Sequence, residues 1–151
     1  MSTLLVTQLD PDIVVTQRFT VNRSLEIDYI RPWVYIHGTL EGGYLRARVR
    51  ESEIVLNEVV LTAEQINSAK TETYAHGRLR LDVGPLFLGK DEGEPTEYIV
   101  ELEYVDHEPG GWIGVVKDWD NPIYPISGVA PKNDSTKSNG VEFFERIGGG
   151  I

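Results

Sequence analysis

The stretch that decides the fold lies at residues 98–104 and reads Tyr98-Ile99-Val100-Glu101-Leu102-Glu103-Tyr104. Apolar and charged side chains alternate along it with a period of two, which is the pattern of a strand that buries one face. The pattern predicts that Tyr98, Val100, Leu102 and Tyr104 point into a core. Glu101 and Glu103 then share the opposite face with Ile99. A half-buried strand of this kind is typical of an antiparallel sheet.

Two further segments alternate in the same way, and most of their outward positions are arginines, with Tyr44 and Asp82 as the exceptions. In 44–50 the inward residues are Leu45, Ala47 and Val49, and in 77–83 they are Leu79, Leu81 and Val83. Opposite charges on neighbouring strands help to set the register of a sheet. We therefore expect the outward Arg78 and Arg80 to lie beside Glu101 and Glu103.

Turn and capping signals divide the rest of the chain. Glu41-Gly42-Gly43 between two strand patterns predicts a hairpin loop. Thr62-Ala63-Glu64-Gln65 has the spacing of a capping box and predicts a short helix over 62–69. Weaker patterns predict additional strands at 3–8, 13–21, 24–30, 33–40, 53–61, 111–117 and 122–126.

These elements predict an all-β fold, because about nine or ten short strands and one helix fit two packed sheets. The specific expectation is a jelly-roll-like antiparallel β-sandwich over residues 1–126. Residues 127–151 are expected to form an extended C-terminal arm. An immunoglobulin-like sandwich is the alternative; the chain lacks cysteine pairs that would support it.

The arm has little capacity to order itself. Eleven of its 25 residues are Gly, Pro, Ser or Asn, and its few apolar side chains must offset roughly 1–2 kcal/mol of backbone entropy per fixed residue. The pair Phe143-Phe144 predicts docking to this domain or to a neighbour by strand addition. The arm residues expected to bind a partner are Phe143, Phe144, Ile147 and Ile151.

Composition excludes several classes of protein. The 151 residues carry a net charge of −10, and residues 91–108 hold eight acidic groups and no Lys or Arg. Such a surface repels a phosphate backbone, so nucleic acid is not an expected partner. No apolar run reaches the ~20 residues of a membrane helix. Without cysteine or a signal-peptide pattern, the chain is expected to be made in a reducing cytoplasm.

No catalytic or cofactor motif is present. The chain has no Gly-x-Ser-x-Gly elbow and no phosphate-cradling glycine loop, and His37, His76 and His107 have no metal-ligand spacing. Carboxylates are numerous, but nothing singles out an acid–base pair. We expect no enzyme activity and no cofactor.

Two local patterns point to ligands. Asp118-Trp119-Asp120-Asn121 offers oxygen groups of the kind calcium prefers, but it lacks the rest of a calcium loop and is equally an ordinary turn. We therefore expect no calcium requirement. Aromatic residues crowd the same region, with Trp33 and Tyr35 earlier in the chain. Trp112, Trp119 and Tyr124 are a candidate glycan platform, although such residues also fill cores and interfaces.

A resemblance adds to this interpretation. The segments 74–83, Leu86-Phe87-Leu88-Gly89 and Tyr98-Ile99-Val100-Glu101-Leu102 are similar to jelly-roll domains of bacteriophage virion proteins, of the tail-fibre adaptor, baseplate accessory or capsid decoration type. The chain departs from the tighter form of this pattern by an insertion at 90–96. Carbohydrate-binding modules share the pattern.

The resemblance implies a structural or adaptor protein located in the virion. Its partners would be other particle proteins and copies of itself, contacted in a symmetric assembly. The alternative is a carbohydrate-binding module, calcium-assisted through Asp118 and Asp120.

Overall fold

The computed structural model of the chain describes residues 4–9, 13–69, 76–90, 94–118, 129–131 and 143–145. The predicted all-β class with one short helix is confirmed. The elements are β1 Leu4–Gln8, β2 Val15–Val21, β3 Leu25–Ile30, β4 Trp33–His37, β5 Tyr44–Glu51, β6 Ile54–Thr62, α1 Ala63–Ala69, β7 His76–Arg78, β8 Leu86–Leu88, β9 Thr96–Val105, β10 Trp112–Asp118, β11 Val129–Pro131 and β12 Phe143–Glu145. The weak strand pattern at 122–126 lies outside the described residues.

The strands of the described ranges form three antiparallel sheets. Sheet A has the order β1-β10-β4-β7, sheet B the order β11-β2-β9-β5-β6, and sheet C the order β12-β3-β8. The chain repeatedly crosses between sheets, since β4 lies in sheet A and β5 in sheet B, and β9 lies in sheet B and β10 in sheet A. Residues that are distant in sequence therefore become neighbours on each sheet.

The alternation in the deciding stretch is confirmed. Tyr98, Val100, Leu102 and Tyr104 are at most 3% exposed. They join the inward residues of β2, β4, β5 and β10 in one hydrophobic core cluster. The core thus lies between the inner faces of sheets A and B, and sheet C contributes Leu25, Ile27, Ile30, Leu86 and Leu88 to it.

The predicted hairpin at Glu41-Gly42-Gly43 is wrong. β4 pairs with β10 and β7, whereas β5 pairs with β9 and β6, so this loop crosses from one sheet to the other. The glycine signal has another cause. Gly43 has φ +81°, and a Cβ there would meet Val105 O at 2.4 Å. The tight turn appears instead at Ser52, φ 55°, between β5 and β6.

Segment 77–83 has the predicted inward residues but is not one strand. Leu79, Leu81 and Val83 are buried, yet β7 ends at Arg78 and the chain then leaves sheet A. The Leu81 N–H donates to Ile30 O at 2.8 Å, which joins this segment to the end of β3. Alternate side chains of this segment therefore point into the core even though its backbone is not hydrogen-bonded to one strand along its whole length.

The predicted pairing of Arg78 and Arg80 with Glu101 and Glu103 is also wrong. β7 belongs to sheet A, and the neighbour of β9 is the other basic strand, β5. Arg80 instead donates to the Asp82 carboxylate, with 2.7 Å between Nε and Oδ1. Its guanidinium lies 3.9 Å from the centroid of the Tyr29 ring.

The helix prediction is confirmed, including its cap. The Thr62 N–H donates to Gln65 Oε1 at 2.9 Å, and the Gln65 N–H donates to Thr62 Oγ1 at 3.2 Å. The Leu40 N–H donates to Asn67 Oδ1 at 2.9 Å, and Asn67 Nδ2 donates back to Leu40 O at 2.8 Å. These bonds join α1 to the loop between β4 and β5.

Two short pieces of the predicted arm pair with the domain. β11 pairs with β2, and Val129 lies opposite Val21. β12 pairs with β3, and Phe144 lies opposite Tyr29. Each piece extends an antiparallel sheet by one three-residue strand.

Candidate interaction surfaces

Aromatic side chains collect on the outer face of sheet A. Alternation along β4 puts Val34 and Ile36 in the core and leaves Trp33, Tyr35 and His37 on the other side. Trp112 lies opposite His37 in the neighbouring strand β10. We call the surface formed by Trp33, Tyr35, His37, Trp112 and Val6 the aromatic face.

Three rings of this face, those of Tyr35, His37 and Trp112, pack against one another. The Trp112 centroid lies 5.4 Å from that of Tyr35 and 5.4 Å from that of His37. The Tyr35 and His37 centroids are 6.4 Å apart with an interplanar angle of 15°. Such offset stacking fixes the side-chain rotamers before any partner binds.

A glycine allows the close packing. Gly114 lies opposite Tyr35, and a Cβ there would meet Val6 Cγ1 at 2.6 Å and Trp112 Cζ3 at 3.1 Å. Val116, the next outward position of β10, is only 2% exposed, whereas Val6 opposite it is 45% exposed. Val116 is therefore covered by its neighbours, whereas Val6 at the edge of the aromatic face is an apolar side chain that a partner can reach.

The outer face of sheet B is chemically different. It carries a row of arginines on β5 between acidic residues of β9 and β6, namely Arg46, Arg48, Arg50, Glu58, Glu101 and Glu103. Arg46 Nε donates to Glu103 Oε1 at 2.7 Å, and Arg48 Nε donates to Glu58 Oε1 at 2.6 Å. The hydrogen bond to Glu58 raises the pKa of Arg48 above its ordinary value. We call this surface the charged face.

The long strand β6 forms one edge of sheet B and exposes Ile54, Val55 and Val60. The Ala63 N–H donates to Gly43 O on the β5 side, so antiparallel geometry directs the N–H groups of Glu58, Val60 and Thr62 to the free edge.

Side chains cap two of these three donors. The Glu58 N–H donates to Asn57 Oδ1 at 2.9 Å, and the Thr62 N–H donates to Gln65 Oε1 at 2.9 Å. Side chains therefore occupy the donors on either side of Val60, which leaves fewer free N–H groups at this edge for strand addition.

The described residues also form an open pocket of about 370 Å³ at one end of sheet B. Its polar lining includes Glu51, Glu97, Lys90 and Thr96. The lining groups are therefore carboxylates, hydroxyls and one ammonium group around an open depression.

The sequence-predicted site residues are only partly placed together. Trp112 lies in the aromatic face, while Trp119 and Tyr124 fall outside the described residues. Phe143 and Phe144 lie in β12, paired with Ile30 and Tyr29 of β3. Ile147 and Ile151 also fall outside the described residues, so their partner-binding role stays a prediction.

The calcium hypothesis for Asp118 and Asp120 also stays a prediction. Asp118 is the last residue of β10, and Asp120 lies beyond the described part of the chain. No group of three or more His, Cys, Asp or Glu side chains in the described part is placed to hold a metal ion. No helix among the described residues has the length and apolar character needed to cross a membrane.

Sequence reasoning missed His37 as a member of the aromatic group, because it was considered only as a metal ligand. The available signal was its spacing. Trp33, Tyr35 and His37 occupy alternate positions of one strand and therefore share a face.

No protein-family model, no curated protein and no solved structure matches this chain.

Proposed function

We propose that the chain is a non-enzymatic structural or adaptor protein of a phage-like particle, working through protein–protein contacts in a symmetric assembly. The observation that carries this proposal is the aromatic face of sheet A. Trp and Tyr are enriched at protein interfaces, where they dominate the binding free energy. The protein would be made in the host cytoplasm and would end up in the virion.

The strand order supports a jelly roll of the kind found in capsid proteins. Leaving aside the short strands of the arm and of sheet C, sheet A reads β1-β10-β4-β7 and sheet B reads β2-β9-β5-β6. In sheet A the late strand β10 lies between β1 and β4, and in sheet B the late strand β9 lies between β2 and β5. Most strands that follow one another in the chain lie in different sheets. We interpret this interleaving as support for the double Greek-key arrangement of a jelly roll. It agrees with the virion resemblance at residues 74–102.

The physical mechanism is rigid docking of a preformed surface. Trp112, Tyr35 and His37 already restrict one another by stacking, so binding costs little further side-chain entropy. A partner that covers Trp112 and the exposed Val6 removes apolar surface from water, at about 25 cal/mol per Å². Gly114 lets Val6 and Trp112 approach closely, because a Cβ at this position would meet both side chains.

The test is to ask whether the chain is part of a particle. Particles released from cells that naturally encode the chain would be purified on a density gradient and analysed by quantitative mass spectrometry. We expect peptides of the chain to co-sediment with the particles at a fixed copy number. Recovery of the chain only in the soluble fraction would contradict the proposal.

A carbohydrate-binding role is the second candidate, because the aromatic face contains Trp112 of the predicted glycan platform. Sugar rings stack on exposed aromatic ring faces, whereas Trp112, Tyr35 and His37 lie partly against one another. Titration with soluble oligosaccharides, read by tryptophan fluorescence, separates the two candidates. Saturable quenching that Trp112→Phe abolishes would favour the glycan role.

A further inference from the structure

We infer that the open pocket at the end of sheet B binds a small zwitterion, a molecule of the free amino acid class that carries one ammonium and one carboxylate group. The inference starts from Lys90 and Glu51, which line one pocket with opposite charges and form no ion pair with each other. None of the pocket residues belongs to the aromatic face, so the inference is independent of the proposed function.

The path of the chain brings two connections together at this pocket. Glu51 is the last residue of β5, and Ser52 follows it in the turn to β6. Lys90 and Pro95 belong to the connection between β8 and β9, and Thr96 is the first residue of β9. Because β5 and β9 are antiparallel neighbours, the end of one strand and the start of the other lie at the same end of sheet B.

Hydrogen bonds hold both walls of the pocket in place. On one wall, Ser52 has φ 55°, and Arg50 Nη1 donates to Ser52 O at 3.1 Å. On the other wall, the Gly89 N–H donates to Tyr98 Oη at 2.8 Å, which fixes the residue that precedes Lys90. A pocket whose backbone is already fixed loses little conformational entropy when a ligand binds.

The chain leaves one charge of each sign unmatched in the pocket. Glu97 has a cation within the chain, because Arg18 Nε lies 3.9 Å from Glu97 Oε1. Glu51 and Lys90, by contrast, form no ion pair with any side chain that the structure describes. A ligand with an ammonium and a carboxylate group can form a charge-assisted hydrogen bond to each of them.

Thr96 provides a second, independent indication of a ligand. It lines the pocket and is only 9% exposed, yet its hydroxyl makes no hydrogen bond within the described part of the chain. Buried hydroxyl groups in proteins normally have a hydrogen-bond partner. Either charged group of a zwitterion would supply one, while Pro95 and Ile99 offer apolar surface to the carbon atoms of the ligand.

The pocket also limits which ligands fit. Its volume of about 370 Å³ is in the range of small-molecule sites. Because the pocket is open, part of the ligand stays in water, and we expect a Kd in roughly the millimolar range. A simple anion would be attracted by Lys90 but repelled by Glu51 and Glu97, and a simple cation would be repelled by Lys90.

The test uses ligands that differ only in their charged groups. The isotope-labelled full chain would be titrated with glycine and γ-aminobutyrate, two zwitterions with different separations of charge, and with acetate and methylammonium, which carry one charge each. Amide chemical shifts at Thr96 and its neighbours report occupancy of the pocket. We expect saturable shifts with at least one zwitterion, and binding of each single-charge ion that is weaker by about tenfold or more.

Substitutions identify the charges that bind. Glu51→Gln and Lys90→Gln each remove one charge and should weaken zwitterion binding by about tenfold. Glu53→Gln is the matched control, because Glu53 is an exposed residue of the same turn that does not line the pocket. This variant should bind the zwitterion like the parent chain, and a thermal melt of each variant checks that it is folded.

Three outcomes would overturn the inference. They are the absence of saturable shifts at the pocket with both zwitterions, equally tight binding of acetate or methylammonium, and equal weakening by Glu51→Gln and Glu53→Gln. Failure of zwitterion binding in a chain that co-sediments with purified particles would reject the pocket and leave the proposed function intact. Zwitterion binding by a chain absent from particles would do the reverse.

Discussion

Arg50 and Glu101 form an ion pair diagonally across β5 and β9. The residue directly opposite Arg50 is Ile99, and the residue directly opposite Glu101 is Arg48. The paired side chains are 24% and 16% exposed, respectively. Arg50 also donates to Ser52 O at 3.1 Å, at the turn into β6. One arginine therefore connects the central strand of sheet B to the turn at its edge.

We expect a double-mutant cycle on this pair to give a small favourable coupling. Glu101→Gln and Arg50→Met each remove the ion pair, and the coupling free energy should be no more than about 1 kcal/mol, since both groups retain contact with water. Urea unfolding of the four proteins measures it. The exposed Arg80–Asp82 pair is the control and should show no measurable coupling. A coupling of several kcal/mol at Arg50–Glu101 would indicate a desolvated site rather than a structural pair.

The caps on β6 lead to a second prediction. Gln65→Ala frees the Thr62 N–H at the sheet edge and should increase aggregation through strand pairing, whereas Gln65→Glu keeps an acceptor oxygen there. Thr62→Ala is the matched control, because it removes the hydroxyl that caps Gln65 but leaves Gln65 Oε1 available to the backbone. Both alanine variants should lose about 1 kcal/mol of helix capping. Thioflavin fluorescence and light scattering measure association, and equal aggregation of the two would contradict edge protection.

Tyrosine burial predicts alkaline sensitivity. Desolvation raises the pKa of both Tyr98 and Tyr104, with the hydrogen bond from the Gly89 N–H partly opposing it at Tyr98. An unfolded tyrosine ionises near pH 10, so the folded state retains these protons to higher pH. The associated stability is present below about pH 10 and is lost as pH rises through the folded pKa values.

Urea midpoints measured over a pH series should therefore fall above about pH 10. The double variant Tyr98→Phe, Tyr104→Phe should show a shallower fall, because two of the responsible protons are gone. It should also be less stable at neutral pH, since Tyr104 Oη donates to Gly42 O at 2.7 Å and Tyr98 Oη accepts from the Gly89 N–H at 2.8 Å. An unchanged alkaline slope in this variant would show that other groups control it.

The features that sequence predicted well are local ones. The inward residues of β9 and the cap between Thr62 and Gln65 follow from spacings of two and three residues, which backbone geometry translates directly into faces and hydrogen bonds. Pairing partners depend on the path of the whole chain. The arginines beside Glu101 and Glu103 proved to belong to β5, because β7 lies in the other sheet.

The same limit applies to the aromatic face. Alternation could place Trp33, Tyr35 and His37 on one side of β4, but the contact of His37 with Trp112 requires the pairing of β4 with β10. The Glu41-Gly42-Gly43 loop shows the converse problem. Its glycines serve a crossover between sheets, yet their composition is also that of a hairpin. Local turn chemistry does not identify the strand that follows as a hydrogen-bonding partner.

The arm gives the last prediction. The described parts of the arm are the three-residue strands β11 and β12, and each lies at the edge of its sheet. Removing residues 127–151 should therefore leave a domain that still unfolds cooperatively, with only a modest fall in melting temperature, but that enters particles less efficiently.

Two comparisons make this test of the arm specific. Phe143→Ala with Phe144→Ala keeps the backbone of β12 and should reproduce much of the assembly loss, because paired aromatics are favoured binding anchors. Calorimetry and quantitative recovery in gradient-purified particles report stability and assembly separately. If truncation abolishes cooperative unfolding, β11 and β12 complete the fold itself, since the edges of β2 and β3 would then need them. If the truncated chain enters particles as well as the parent does, the arm takes no part in assembly, and contacts must come from the sandwich surfaces.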